Sequence, residues 1–247
     1  RIECGPAEYI AKEMLWDYLD NFADHALDYL KEQPEQPDVI HSHYADAGYV
    51  GTRLSHQLGI PLVHTGHSLG RSKRTRLLLS GIKADEIESR YNMARRINAE
   101  EETLGSAVRV ITSTQQEIVE QYAQYDYYQP DQMLVIPPGT DLEKFYPPHG
   151  NEWETPIVQE LQRFLREPRK PIILALSRPD PRKNIHTLIE AYGQCPELQA
   201  RANLVIVAGN RDDITDLDQG PREVLTDLLL TIDRYDLYGK VDYPKLN

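Results

Sequence analysis

A loop rich in glycine and polar side chains, TGHSLGRSK, occupies residues 65–73 and follows a short apolar strand predicted over residues 60–64. It carries an imidazole, a hydroxyl and two cations, on His67, Ser68, Arg71 and Lys73. Ligands of open α/β sheets bind in loops at the carboxyl ends of strands, and glycine lets the backbone approach them closely. The loop is therefore a candidate wall of a pocket for a polar, anionic molecule. An ordinary turn with solvated cations is the alternative, and these residues alone leave both interpretations open.

A second polar loop, SRPDPRKN, covers residues 177–184 between an apolar strand and a predicted helix. Arg178 and Lys183 lie on either side of a proline-rich turn at the start of that helix. The amide N–H groups of a helix start already favour anions, so two cations there form a candidate clamp for a phosphate or diphosphate. Asp180 and Asn184 are candidates to fix the loop or to cap the helix. A capped turn with exposed charges is the alternative.

Four further candidates carry weaker signals. Tyr44 follows a strand and can hydrogen-bond a ligand, although a buried tyrosine with a satisfied hydroxyl fits the pattern equally well. Gly209 and Asn210 end the segment VIVAGN, where a glycine after a strand permits a close approach but is common. Arg96 lies on a charged helix, where most charges form a solvated face, so the pattern alone does not select it.

Several kinds of chemistry find no support in the sequence. His41 and His43 share one face of a strand without a nearby third ligand, so no metal site is predicted. Residues 66–70, GHSLG, have the G-x-S-x-G spacing, but the chain contains no P-loop, no HExxH and no complete GxGxxG. P-loop nucleotide hydrolysis and zinc proteolysis therefore have no supporting motif.

The composition bounds the class of protein. The 247 residues are 40% hydrophobic and 27% charged, which is enough for a globular core. The net charge of −12 repels nucleic acid, so a bound anion must meet a local cluster of cations. No apolar run is long enough to span a membrane, and no signal-peptide pattern is present. The two cysteines are far apart in the sequence, which favours a cytoplasmic protein without disulfides.

Strands that alternate with helices must position these loops, and the hydrophobic pattern predicts that alternation. Strands are predicted at residues 38–42, 60–64, 108–112, 133–136, 172–176, 204–207 and 240–243. Helices are predicted at residues 7–32, 47–58, 84–106, 115–123, 158–165, 185–192 and 221–234. This order is typical of an α/β protein with doubly wound parallel sheets.

A proline-rich stretch interrupts the alternation and predicts two domains. Residues 1–146 form the first Rossmann-like domain, residues 147–170 form a connector, and residues 171–247 begin a second Rossmann-like domain. Both sheets are expected to be incomplete, because the first domain lacks an opening strand and the second lacks closing elements. We therefore expect the sequence to be an internal piece of a longer protein.

Seven segments in a fixed order resemble one family. They are HSHYADAG, TGHSLGRSK, YNMARRINAEEETL, VITSTQQEI, VIPPGTD, SRPDPRKN and GKVDYPK. Together they resemble the sucrose-phosphate synthases, which are retaining glycosyltransferases with the two-domain GT-B fold. The resemblance implies two Rossmann-like sheets that face a cleft. It also implies a hexosyltransferase that moves glucose from a nucleotide sugar, typically UDP-glucose, to fructose 6-phosphate, without a metal or any other cofactor.

The resemblance also assigns roles to individual residues. Lys73 and Arg96 would bind the phosphate of the acceptor, and Tyr44 and Ser68 would contact the acceptor sugar. His67 would lie beside the transferred glucose. The donor diphosphate would be held by Arg178 and Lys183, near Gly209 and Asn210. The phosphate of the donor would itself take the acceptor proton, so no pair of catalytic carboxylates is needed.

Two segments of the family pattern are missing, and rival functions stay open. The glycine-rich loop of the family would lie before Arg1, and its E-x₇-E segment would lie after Asn247, so we expect the chain alone to be inactive. The alternatives are a sucrose synthase, which Lys73 and Arg96 disfavour, a mannosylfructose-phosphate synthase, and a non-catalytic module that binds sugar phosphates. The expected partners are small-molecule substrates, without nucleic acid or membrane. The sequence does not give the oligomeric state.

Overall fold

The computed structural model describes residues 2–8, 10–147, 149–150, 152–209 and 213–245. The chain divides into two compact units, Arg1–Asp141 and Leu142–Asn247. Each unit contains a parallel sheet in which strands alternate with helices, which confirms the predicted α/β class.

The first unit holds a sheet in the order β1-β2-β3-β4 within its described residues, and every pair of neighbouring strands is parallel. The strands are β1 (Ile40–His43), β2 (Leu62–Thr65), β3 (Arg109–Thr112) and β4 (Met133–Val135). The helices are α1 (Leu19–Lys31), α2 (Tyr44–Leu58), α3 (Gly70–Leu79), α4 (Ala84–Tyr91), α5 (Met93–Ser106) and α6 (Gln115–Glu120). Short 3₁₀ turns cover Lys12–Asp17, Tyr122–Gln124 and Pro130–Gln132.

The second unit holds a parallel sheet in the order β5-β6-β7 within its described residues. The strands are β5 (Ile172–Leu176), β6 (Asn203–Val207) and β7 (Val241–Asp242). The helices are α7 (Pro156–Leu161), α8 (Ile185–Gly193), α9 (Pro196–Arg201) and α10 (Gln219–Arg234), with 3₁₀ turns at Glu152–Glu154 and Pro181–Lys183. The core of this unit forms where α8 and α10 pack on β6, whose Leu204, Val205 and Ile206 are fully buried.

Two local signals set helix ends where the sequence predicts them. Helix α2 ends at Gly59, which adopts φ 69°, a left-handed conformation that glycine reaches without strain. Helix α6 begins after Thr114, whose hydroxyl accepts a hydrogen bond from the backbone N–H of Glu117 at 3.2 Å. Both predictions are confirmed.

Two helix predictions and one loop prediction are wrong. The helix predicted over residues 84–106 is two helices, because Asn92 turns the backbone to φ 49° and Glu88 then accepts the N–H of Ala94 at 2.9 Å. The helix predicted from residue 7 begins only with a 3₁₀ turn at Lys12, and α1 follows it. The loop at residues 65–73 is a loop only as far as Leu69, since α3 begins at Gly70.

Candidate functional site

Two residues with unusual backbone angles mark the carboxyl ends of β1 and β2. Tyr44, the first residue of α2, has φ 78°, and His67, in the loop after β2, has φ 57°. Residues other than glycine rarely adopt positive φ angles. Such strain persists only where the surrounding structure holds it, and it clusters at binding sites. Strands β1 and β2 are parallel neighbours, so their carboxyl ends bring both residues to one edge of the sheet.

A small pocket at this edge collects three of the four predicted acceptor residues, Tyr44, Lys73 and Arg96. Its walls come from the 3₁₀ turn Lys12–Asp17 and from helices α2, α3, α4 and α5. The lining residues are Lys12, Glu13, Trp16, Tyr44, Ala45, Asp46, Lys73, Tyr91 and Arg96. Ser68, the fourth predicted residue, does not line the pocket, but it hydrogen-bonds the side chain of Tyr44.

Three cations meet in this pocket, and we call Lys12, Lys73 and Arg96 the cation cluster. The Nζ atom of Lys12 lies 3.4 Å from the hydroxyl oxygen of Tyr44 and donates to it. The guanidinium carbon of Arg96 lies 5.1 Å from the centre of the Tyr44 ring. The sequence analysis missed Lys12, because a single lysine before an amphipathic helix carries no signal of its own. Only the packing of the 3₁₀ turn against α2 places it here.

Burial and neighbouring positive charge both act on Lys73, although the carboxylates of Glu13 and Asp46 also line the pocket. Burial and repulsion by Lys12 and Arg96 lower the pKa of Lys73, and the attraction of Glu13 compensates only in part. The pKa of Tyr44 is also lowered: burial opposes ionisation, but the bond from Ser68 and the charges of Arg96 and Lys12 outweigh it. A bound dianion would relieve this repulsion, so the pocket is suited to a phosphate.

Arg96 is buried, with only 5% of the residue exposed, so the solvated face predicted for this helix does not include it. Its Nε atom donates to the Oε1 atom of Glu100 at 2.9 Å, and its Nη2 atom donates to the backbone oxygen of Ser68. The neighbouring Arg95 is exposed and instead pairs with Asp17 at 2.9 Å. Two adjacent arginines therefore differ in environment, which charge patterning cannot reveal.

His67 does not line the pocket of the cation cluster. Its Nε2 atom lies 2.9 Å from the Nδ1 atom of His43, and the two rings stack with centres 5.2 Å apart. The ring of His41 lies against that of His43, with centres 4.2 Å apart and ring planes tilted by 35°. His67 is exposed at the strand edge, where a ligand can reach it, and its role beside a transferred sugar stays a prediction.

His64 anchors β2 immediately before the loop at residues 66–69. It is buried, and its Nδ1 atom is 2.9 Å from the hydroxyl oxygen of Ser42 on the neighbouring strand. Burial, and to a lesser degree the nearby histidines, lower the pKa of His64 to about 4 from its usual 6.5. The native structure therefore holds this imidazole in its neutral form.

Acidification is expected to destabilise the protein through His64. The unfolded chain takes up the proton near pH 6.5 and the folded chain only near pH 4, so the free energy of unfolding falls between these values. The full contribution is about 3 kcal/mol. Denaturant unfolding across this range should show a shallower pH dependence for His64→Gln than for the wild type. His56→Gln, at an exposed histidine of α2, is the control, and equal slopes for His64→Gln and the wild type would contradict the prediction.

The predicted donor residues of the second unit lie in the segment after β5. Asp180 caps the turn Pro181–Lys183 by accepting the backbone N–H of Arg182 at 2.9 Å, and it also binds the Arg182 side chain at 3.0 Å. Arg178 and Lys183 are exposed, and no ion pair is found for either among the described residues. The carboxylate of Asp180 thus pairs with Arg182, and the side chains of Arg178 and Lys183 are available to solvent or to a ligand.

The backbone geometry also explains why a glycine follows β6. Gly209 has φ 68°, and a Cβ atom there would lie 3.2 Å from Cδ of Pro179 in the SRPDPRKN loop. A glycine therefore lets this turn approach the loop that carries Arg178 and Lys183. Asn210 lies outside the described residues, so its predicted role is not tested.

In the part of the chain that the structure describes, no three histidine, cysteine, aspartate or glutamate side chains come together as a metal site. Within the same residues, no helix combines the length and apolar character that crossing a bilayer requires.

Sequence comparisons connect this chain to sucrose-metabolising enzymes. Residues 5–142 match the family described as the sucrose synthase first GT-B domain. A probable sucrose-phosphate synthase 1 of Oryza sativa subsp. indica is 44% identical over 294 residues, which cover 99% of this chain and 27% of that protein. The sucrose-phosphate synthase of Zea mays is 44% identical over 299 residues, covering 99% and 28%. The chain thus spans 27–28% of the length of these curated relatives.

Solved structures agree on the fold. The sucrose-phosphate synthase of Thermosynechococcus elongatus superposes with a TM-score of 0.68 at 27% identity, covering 100% of this chain and 54% of that one. The HepE protein of Anabaena, in complex with UDP and glucose, gives a TM-score of 0.57 at 19% identity, covering 96% and 53%. These matches confirm the predicted GT-B fold.

Proposed function

The chain belongs to the family of the sucrose synthase first GT-B domain, and because it is 44% identical to sucrose-phosphate synthases, we propose that it is part of an enzyme that transfers glucose from UDP-glucose to fructose 6-phosphate. The product would be sucrose 6-phosphate, with retention of configuration at the transferred sugar. The first unit would bind the acceptor and the second unit would bind the donor.

The cation cluster is the observation that carries this proposal. Lys12, Lys73 and Arg96 line one pocket, and burial, followed by repulsion from the other two cations, lowers the pKa of Lys73. A phosphate dianion matches this charge, and the hydroxyl of Tyr44 at the same pocket can bind a sugar hydroxyl. A sucrose synthase acting on free fructose would have no use for three converging cations.

The transfer itself calls for charge stabilisation rather than for a pair of carboxylates. As the bond between glucose and the donor diphosphate breaks, negative charge builds on the diphosphate, and Arg178 and Lys183 would stabilise it. The acceptor oxygen would form its bond to the anomeric carbon on the same face of the sugar, and the departing phosphate oxygen would take the proton of that hydroxyl. His67 would orient the transferred glucose. In this scheme the reaction needs no metal.

Ligand titrations test the proposal. We expect calorimetry to show binding of fructose 6-phosphate and of UDP to the chain, with fructose bound much more weakly than its 6-phosphate. Binding of fructose 6-phosphate without UDP would favour a non-catalytic module that binds sugar phosphates. Equal binding of fructose and fructose 6-phosphate would contradict the phosphate role of the pocket, and binding of neither ligand would overturn the proposed function.

An activity measurement complements the titrations. We expect the 247-residue chain to show no glucosyl transfer, because it spans only 27–28% of the length of its curated relatives. Detectable formation of sucrose 6-phosphate by this chain would contradict that expectation. It would also show that the residues present here suffice for catalysis.

A further inference from the structure

One buried carboxylate, that of Glu100 on α5, connects the two predicted phosphate ligands of the first unit. Only 2% of Glu100 is exposed, and it does not line the pocket. Its Oε1 atom accepts from the Nε atom of Arg96 at 2.9 Å, and its Oε2 atom accepts from the backbone N–H of Gly70 at 2.8 Å and from the hydroxyl of Tyr125. Donors from three separate parts of the unit therefore meet on one side chain.

The bond to Arg96 fixes the orientation of its guanidinium group. With Nε on Glu100 and Nη2 on the backbone oxygen of Ser68, the planar group cannot rotate without breaking both bonds. Within the described residues, the Nη1 atom has no hydrogen-bond partner. The carboxylate thus holds Arg96 with one edge available to the pocket.

The bond to Gly70 places the second cation. Gly70 begins α3, and the carboxylate lies at the positive end of that helix, where negative charge is favourable. A Cβ atom at Gly70 would lie 2.8 Å from the Oε2 atom of Glu100, so a glycine is required for this approach. Lys73 lies on the first turn of α3, with its N–H bonded to the oxygen of Leu69 at 3.0 Å. Pinning Gly70 therefore also pins the base of Lys73.

We propose that Glu100 is a positioning residue that sets Arg96 and Lys73 at the spacing required to bind the acceptor phosphate. The proposal rests on the proposed function of the pocket. Glu100 touches no substrate and acts through two cations on different helices. A purely structural role would instead be limited to compensating the buried charge of Arg96.

The neighbouring Glu101 provides a matched control. It is also buried on α5, and it accepts from the side chain of Arg71 and from the backbone N–H groups of Asp126 and Tyr127, at 3.1 and 3.0 Å. None of these partners lines the pocket of the cation cluster. Glu100→Gln and Glu101→Gln thus remove the same charge from adjacent buried positions with different consequences for the two cations.

Titration of both variants with fructose 6-phosphate and with inorganic phosphate tests the proposal. We expect Glu100→Gln to lose about tenfold or more in affinity for both ligands, and Glu101→Gln to bind like the wild type. UDP affinity should not change in either variant. Wild-type affinity in Glu100→Gln, or equal losses in both variants, would overturn the positioning role. If wild type binds inorganic phosphate but not fructose 6-phosphate, the proposed function fails while the phosphate titration still tests Glu100.

A second variant keeps the test informative if Glu100→Gln does not fold. Tyr125→Phe removes the phenol hydroxyl, which donates to Glu100 and accepts the backbone N–H of Arg71 at 3.1 Å, and it leaves the carboxylate with Arg96 and Gly70. We expect a loss of a few fold in affinity for fructose 6-phosphate, together with faster hydrogen exchange of the Gly70 amide. Unchanged affinity and unchanged exchange would contradict the proposal. If the wild type bound neither fructose 6-phosphate nor inorganic phosphate, both this proposal and the proposed function would be overturned.

Discussion

Lys73→Met is expected to weaken the binding of fructose 6-phosphate by about 10- to 100-fold. The Nζ atom of Lys73 lies 4.0 Å from the centre of the Tyr91 ring, and methionine keeps most of the stem that packs there. The variant therefore removes the charge with little loss of packing. Because the lost bond joins an ammonium group to a dianion, its loss costs more than that of a neutral hydrogen bond. Isothermal calorimetry on the 247-residue chain measures the change.

Selectivity shows whether Lys73 acts on the phosphate. The variant should bind UDP like the wild type, and the advantage of fructose 6-phosphate over fructose should shrink by the same factor as the affinity. Lys83→Met is the control, since Lys83 is an exposed lysine of the same unit that does not line the pocket. Equal losses for fructose 6-phosphate and UDP would contradict the assigned role.

Much of the fold was predictable because short-range signals decide it. The limits of β5, residues 172–176, follow from an uninterrupted apolar run and agree with the structure. The ends of parallel strands carry ligand-binding loops, so the predicted strands were enough to point to Tyr44 and to the loop after β2. Such inferences depend on only a few adjacent residues and on the rule that parallel strands end at one edge.

The remaining features depend on contacts between distant residues. Helix α3 carries no apolar stripe, since its only large apolar residues are the consecutive Leu77, Leu78 and Leu79, so periodicity does not reveal it. The burial of Arg96 depends on a carboxylate one turn away and on a carbonyl of another loop. Lys12 reaches the pocket only through the packing of the first 3₁₀ turn. Sequence patterns describe faces of single elements, and these features arise where several elements meet.

The donor side offers the second large effect. Replacing both Arg178 and Lys183 by glutamine is expected to reduce UDP affinity by about 100-fold or more, because both cations that would meet the diphosphate are lost. Binding of fructose 6-phosphate should be unaffected, since its predicted ligands all lie in the first unit. Both side chains are exposed, so the variant should fold with near wild-type stability.

Arg182 lies between these two positions in the same loop and supplies the matched control. Its guanidinium group is bound to Asp180 through Nε at 3.0 Å, whereas Arg178 and Lys183 have no such partner among the described residues. Arg182→Gln removes a positive charge from the same loop and keeps the backbone N–H that Asp180 accepts, so UDP affinity should fall only slightly. If Arg182→Gln lost as much UDP affinity as the double variant, the effect would come from the overall charge of the loop. In that case the assignment of Arg178 and Lys183 as specific ligands of the diphosphate would be wrong.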